Sequence, residues 1–181
     1  MESKERRTFL EVAFLSLTGL GKLASAQTTA RPVYVEHGAD RFNHPYTIAG
    51  ANEVAFKVAA QDTHNGLFII EQVSQRKGGP PRHLHHAQEE WFYIMEGEYV
   101  FEVGEQRMRL RSGDSLIGPR GVPHVWAYVG EKPGKILIGF APAGQMEKFF
   151  VEAAKLRDFA ADQKLYRECG MDIVGPPLPL T

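Results

Sequence analysis

Residues 78–97 of this 181-residue chain read GGPPRHLHHAQEEWFYIMEG. Alternate side chains of an extended strand point to the same face, so His83 and His85 would share one face and His86 would point to the other. We expect His86 to be exposed, or to contact other site residues without binding a metal itself. The stretch therefore predicts a strand that presents two imidazoles side by side.

A second strand follows a short turn at residues 87–89. Residues 91–95 are aromatic and apolar, and Glu90, Phe92 and Ile94 would lie on one face of this strand. Two imidazoles and a carboxylate could then converge between neighbouring strands. Nitrogen donors with one oxygen donor suit a divalent transition metal, which includes iron, manganese, nickel, copper and zinc.

A third imidazole comes from further along the chain. Residues 113–124 read GDSLIGPRGVPH, with turn residues at both ends and a strand-like middle. His124 opens the run that ends at Tyr128, and alternation places His124, Trp126 and Tyr128 on one face.

These two stretches resemble the two motifs of the cupins. The first motif is carried here by His83, His85, Glu90 and Gly97. The second motif is carried by Gly113, Pro119, Gly121 and His124, and Tyr128 stands where that motif usually ends in Asn, which is not a metal ligand in the family. The resemblance implies that one divalent transition metal is bound by His83, His85, Glu90 and His124.

The fold class follows from strand signals and from this resemblance. Many short strand-like runs separated by turn residues indicate a sandwich or barrel. The motifs favour an all-β fold, a small cupin β-barrel (a double-stranded β-helix of the jelly-roll type) over residues 46–142. Apolar residues at helical spacing between 145 and about 168 predict a C-terminal helical tail over residues 143–181.

The start of the chain has the composition of an export signal. Residues 1–26 contain the pair Arg6-Arg7, a short apolar stretch and a small-residue site that ends at Ala26. This segment resembles a twin-arginine signal peptide, which implies a periplasmic or secreted protein. An ordinary N-terminal amphipathic helix is the alternative. Residues 27–45 are expected to form an extended arm, which in cupin dimers packs on the partner subunit, so the resemblance also implies a homodimer.

Composition excludes several classes of function. The formal net charge is −1 and no basic stripe is interleaved with aromatic residues, which argues against nucleic-acid binding. The sequence contains no run of 18 apolar residues, so no membrane span is expected. Cys169 is the single cysteine of the sequence, which precludes an internal disulfide. Arg107, Arg109 and Arg111 would share a face, which we interpret as a solvated sheet surface.

The expected chemistry depends on the ligand set. Four protein ligands leave two positions of a six-coordinate metal open, which is typical of catalytic sites. Short segments at residues 142–150 and 175–178 resemble the tails of single-domain cupins related to quercetin dioxygenases, and the similarity covers roughly residues 46–181. It implies dioxygenase activity on a flavonol or another enolic aromatic small molecule, with dioxygen as co-substrate and Glu90 as both ligand and base. The predicted aromatic pocket consists of Phe92, Trp126, Tyr128 and Phe140.

Two other readings stay open from the sequence. The same ligands could support a metal-dependent lyase or isomerase that acts on a small carboxylate or sugar, because fold does not dictate function. The chain could also be a non-catalytic module that binds a metal or small ligand.

Overall fold

The structure, a computed structural model, describes residues 31–157 and 159–180. The proposed signal at residues 1–26 lies outside the described residues, and residues 33–45 contain no helix or strand. Eleven strands are described: β1 (Tyr46–Ile48), β2 (Asn52–Val58), β3 (Phe68–Ser74), β4 (Arg82–His85), β5 (Glu89–Glu96), β6 (Glu98–Val103), β7 (Gln106–Arg111), β8 (Ser115–Gly118), β9 (His124–Tyr128), β10 (Gly134–Ala141) and β11 (Met171–Gly175).

The strands form two antiparallel sheets. The first sheet has the spatial order β1-β2-β3-β10-β5-β8, and the second has the order β11-β4-β9-β6-β7. From β3 to β10 the chain crosses repeatedly between the sheets, which is the winding of a jelly roll. The prediction of an all-β jelly-roll fold with a C-terminal helical segment is confirmed.

The core lies between the two sheets because each strand buries alternate side chains. In β5, Glu90, Phe92 and Ile94 are buried, whereas Trp91 and Tyr93 on the opposite face are half-buried. The sequence pattern thus predicted the inward face of this strand correctly. The fully buried large side chains of the two sheets are aromatic and β-branched, as expected for packed strand faces: Phe56, Phe68, Ile70, Phe92, Ile94, Tyr99, Phe101, Tyr128, Ile136, Ile138 and Phe140.

Strand β9 departs from alternation because all five of its residues are buried. One face enters the core through His124, Trp126 and Tyr128. Val125 and Ala127 on the other face form a small apolar cluster with Val100 and with Leu178 near the C-terminus. The C-terminal residues therefore cover the outside of the strand that carries His124.

The predicted tail contains helices and also a strand. Helix α1 (Met146–Ala153) and helix α2 (Gln163–Glu168) flank a short 3-10 helix at Phe159–Ala161. Asp162 caps α2, and its carboxylate accepts a hydrogen bond from Leu165 N at 2.9 Å. Strand β11 then pairs with β4, which the sequence analysis did not predict. This pairing returns the chain to the second sheet and fixes α2 beside the strand that carries His83 and His85. No helix in the described part of the chain is long and apolar enough to span a membrane.

Candidate metal centre

Strand pairing brings the three histidines together. His83 of β4 and His124 of β9 are register partners, and directly opposed residues in antiparallel strands hold their side chains close together. His85 lies two residues further along β4 on the same face. Glu90 belongs to β5 in the other sheet and meets the histidines across the core.

The resulting group is compact and buried. One ligand atom from each of the four residues lies within 4.8 Å of the ligand atoms of the other three. No member of the group is more than 5% exposed. Nε2 of His124 and Nε2 of His85 lie 2.8 Å and 3.0 Å from Oε2 of Glu90, and Nε2 of His83 lies 3.7 Å from the same oxygen.

Backbone carbonyls orient two of the imidazoles. Nδ1 of His83 lies 2.8 Å from the carbonyl oxygen of Pro81, and Nδ1 of His124 lies 3.1 Å from that of Val122. A carbonyl only accepts hydrogen bonds, so Nδ1 carries the proton and donates in both rings. The lone pair of each Nε2 then points toward Glu90, which is the arrangement that metal-binding histidines adopt.

These four side chains are better accommodated with a bound cation between them than without one. In the neutral form, His83 and His124 would direct an Nε2 lone pair at an oxygen of Glu90, and like lone pairs repel. A shared cation, either a proton or a metal ion, resolves that repulsion. Nδ1 of His85 is buried and has no hydrogen-bond partner in the described part of the chain. The donor set of three imidazoles and one carboxylate therefore suits a divalent transition metal.

The pKa shifts of the metal-free group follow from the same contacts. Burial alone would raise the pKa of Glu90, but the surrounding imidazoles of His124, His83 and His85 outweigh it and hold the pKa well below its usual range. Burial lowers the pKa of His83, and Glu90 offsets this only in part. Burial would also lower the pKa of His124, but its hydrogen bond to Glu90 and the charge of Glu90 raise it above the ordinary value. Glu90 is therefore ionised at neutral pH.

A cavity of about 110 Å³ adjoins the group. His83, His85 and Glu90 line it, whereas His124 is not part of its lining. The rest of the lining is mostly apolar and comes from both sheets and from the C-terminal helices: Ile48, Ala49, Asn52, Gln72, Gly79, Pro80, Trp126, Ile138, Phe140, Met146, Phe149, Phe150, Ala160, Tyr166 and Met171.

The structure separates the four aromatic residues of the expected pocket. Trp126 and Phe140 line the cavity, whereas Phe92 and Tyr128 are not part of its lining. Phe92 packs edge-on against Phe101 in the core, with ring centroids 4.8 Å apart. Alternation correctly predicts that these side chains point inward, but it does not predict how far along the barrel each one lies from the metal-binding group.

Tyr128 illustrates that limit. It lies four residues beyond His124, which is about 13 Å along an extended strand. Its ring contacts Tyr99, at a centroid distance of 5.1 Å, and it fills the space that a Cβ atom would need at Gly97, Gly130 or Gly134. Tyr128 therefore closes the far end of the core.

The sequence analysis missed the contribution of the C-terminal segment to the cavity. Met146, Phe149 and Phe150 showed helical spacing and were interpreted as a face that packs on the barrel. The structure places that face over the cavity. Tyr166 on α2 had no signal of its own, because its position depends on the pairing of β11 with β4.

Other candidate residues lie away from the centre. His86 is exposed, and its Nε2 lies 3.1 Å from Asp172, so it does not join the group. Arg107, Arg109 and Arg111 are exposed on β7 and pair with Glu98 and Glu102 of β6, as a solvated sheet surface would.

Comparison with known proteins identifies the fold. Residues 70–140 match the family Cupin_2, described as a cupin domain, and this segment contains all four residues of the group. KdgF from Halomonas sp. superposes with a TM-score of 0.52 at 16% identity, over 62% of this chain and 94% of that protein. An RmlC-like cupin from Shewanella frigidimarina gives a TM-score of 0.51 at 19% identity, over 65% and 96% of the two chains. These matches show that the chain has a cupin fold, and they establish the fold alone.

One curated relative also matches part of the sequence. Uncharacterized protein MJ1618 of Methanocaldococcus jannaschii is 33% identical over 55 residues, which are 30% of this chain. The match spans 44% of that relative's length. The resemblance to quercetin dioxygenases is not confirmed by these comparisons and stays a prediction.

Proposed function

We propose that this chain is a metal-dependent dioxygenase whose substrate is a small enolic aromatic molecule. The observation that carries the proposal is the buried group of three histidines and Glu90 at the wall of an apolar cavity. Four ligands from the chain leave positions on a six-coordinate metal for other molecules, whereas structural sites are closed by protein ligands.

His83, His85, Glu90 and His124 would hold the metal. It would supply a positive charge that favours an ionised substrate oxygen, together with open positions for substrate and dioxygen. Its identity is left to experiment, because three imidazoles and a carboxylate suit iron, manganese, nickel, copper and zinc alike.

The composition of the cavity wall supports an aromatic substrate. Trp126 and Phe140 offer ring faces, and Ile138 and Met171 add apolar surface. Among the described residues, no arginine or lysine lines this cavity. A sugar acid or a small carboxylate would leave its charge without a cationic side chain, so the lyase or isomerase alternative has less support.

The volume of the cavity bears on the size of the substrate. A cavity of roughly 150 Å³ is known to hold one benzene molecule. The cavity of about 110 Å³ is somewhat smaller than that, so it has room for one ring at most. Within the expected substrate class, this favours a monocyclic enol or catechol over a three-ring flavonol.

Glu90 is proposed to act on the substrate as well as on the metal. A carboxylate can accept a hydrogen bond, or a proton, from a substrate hydroxyl that lies within hydrogen-bond reach of it. The rest of the group holds this carboxylate in place through His85 and His124.

Oxygen uptake tests the proposal. Protein loaded separately with Fe(II), Mn(II), Ni(II) or Cu(II) would be mixed with catechol or with quercetin in an oxygen electrode. We expect substrate-dependent uptake with at least one metal, faster with catechol, and its loss in Glu90→Gln. The matched control is His86→Ala, which removes an exposed imidazole and should leave uptake unchanged. Full metal loading without oxygen uptake for any combination of metal and substrate would contradict the proposed dioxygenase activity. A binding module or an enzyme with another reaction would then remain.

Export and dimer formation are further proposals that rest on sequence resemblance. If residues 1–26 are a twin-arginine signal, the double variant Arg6→Lys, Arg7→Lys should accumulate in the cytoplasm of the expressing cells, whereas wild type should reach the periplasm. Analytical ultracentrifugation of the purified chain would show whether it forms the expected homodimer.

A further inference from the structure

We propose that Tyr166 is a substrate-binding residue, whose hydroxyl donates a hydrogen bond to the ionised oxygen of the substrate. The inference rests on the proposed function, because it concerns the ligand of the same cavity. It adds a donor from helix α2, which lies outside the segment that matches the cupin domain.

The position of Tyr166 is fixed by two ring contacts. Its ring stands edge-on to His83, with centroids 5.7 Å apart, and edge-on to Phe149 at 5.0 Å. It is 1% exposed and lines the cavity together with Glu90. Tyr166 is thus held beside a proposed metal ligand, at the wall of the space where a substrate would bind.

The hydroxyl of Tyr166 has no hydrogen-bond partner among the residues that the structure describes. None of residues 31–157 and 159–180 forms a hydrogen bond with it, and Tyr99, which is equally buried, donates to Ser74. The polar atoms that are fully enclosed and unpaired in the described part of the chain are His85 Nδ1, Gln88 Oε1 and the hydroxyl oxygen of Tyr128, and the oxygen of Tyr166 is not one of them. An unpaired hydroxyl on a residue that lines the cavity is open to that cavity, where a bound ligand can supply its partner.

Donor and acceptor together narrow the substrate class. The carboxylate oxygens of Glu90 accept hydrogen bonds, whereas the hydroxyl of Tyr166 can donate one to an oxygen anion. A substrate that carries one protonated and one ionised oxygen satisfies both groups at once. Within the proposed class, this describes the monoanion of a catechol or of an enol with a neighbouring hydroxyl.

The test uses the full chain loaded with Co(II) and the chromophoric probe 4-nitrocatechol. Metal content per chain is measured first, and the probe is then titrated and followed by its visible absorption. We expect Tyr166→Phe to bind cobalt as wild type does and to bind 4-nitrocatechol about tenfold more weakly. Tyr93→Phe, which removes a hydroxyl from the outer face of β5, is the matched control and should bind the probe like wild type.

Two further measurements separate binding from a structural role. Tyr166→Phe should melt close to the wild-type temperature, because the hydroxyl makes no hydrogen bond with the described residues. The wild type should prefer 4-nitrocatechol over 4-nitrophenol, which has a single oxygen, and this preference should shrink in Tyr166→Phe.

The outcomes are distinguishable. Three results would each overturn the role of Tyr166 while leaving the metal centre intact. The first is equal probe affinity of Tyr166→Phe and wild type, and the second is no probe binding by cobalt-loaded wild type. The third is a large loss of stability in Tyr166→Phe. Failure of wild type to take up metal would instead overturn the proposed function itself.

Discussion

Nε2 of His124 lies 2.8 Å from Oε2 of Glu90, although 34 residues separate them in the sequence and they belong to opposite sheets. The contact spans the core and exists only when the two sheets are packed together. A site of this kind forms only with the fold, so metal binding should require the tertiary structure and should add to its stability.

The unpartnered hydroxyl of Tyr128 predicts a stabilising substitution. Its oxygen is buried and makes no hydrogen bond within the described part of the chain. Tyr128→Phe removes the desolvation penalty and keeps the ring, so we expect the free energy of unfolding to rise by about 1 kcal/mol. Urea denaturation measures this change. Metal content should not change, because Tyr128 does not line the cavity; a less stable variant would show that the hydroxyl has a partner.

The contact between Gly134 and Tyr128 predicts a destabilising substitution. A Cβ atom at Gly134 would lie 2.8 Å from Cδ2 of Tyr128 and 2.9 Å from the hydroxyl oxygen of Tyr99. We expect Gly134→Ala to lower the free energy of unfolding by roughly 1–3 kcal/mol through overpacking. The cost should shrink when Gly134→Ala is combined with Tyr128→Leu, which vacates that space. Simple additivity of the two changes in urea denaturation would contradict the contact.

Burial of Tyr99 predicts a loss of stability at alkaline pH. Burial raises the pKa of Tyr99 from 10.0 to about 12, although its hydrogen bond to Ser74 opposes the shift. Between these values the unfolded chain releases the proton while the folded chain retains it, so stability is complete below pH 10 and falls as pH rises toward 12. The free energy of unfolding of Tyr99→Phe should decline less steeply between pH 10 and 12. Parallel curves for the two proteins would contradict this assignment.

The sequence predicted the centre better than the cavity. Alternation and motif spacing identified His83, His85, Glu90 and His124, because a strand fixes which face each side chain occupies. The position of a side chain along the barrel is a different property, which alternation does not predict. Trp126 and Tyr128 share a face of β9, but only Trp126 lines the cavity.

The contribution of the C-terminal segment could not be predicted for another reason. Tyr166 reaches the cavity because β11 pairs with β4, and that pairing joins residues more than 80 positions apart. Local patterns indicate helices and strands, but they do not specify which distant strand a short segment will join.

Metal content per chain tests the central claim most directly. Wild type, the double variant His83→Ala, Glu90→Ala and the control His86→Ala would be purified in parallel, loaded with the same metal and measured by elemental analysis. We expect about one metal ion per chain in wild type and in His86→Ala, and almost none in the double variant, whose circular dichroism spectrum should remain that of a folded β-protein. A folded double variant that retains the full wild-type metal content would contradict the assignment of this centre.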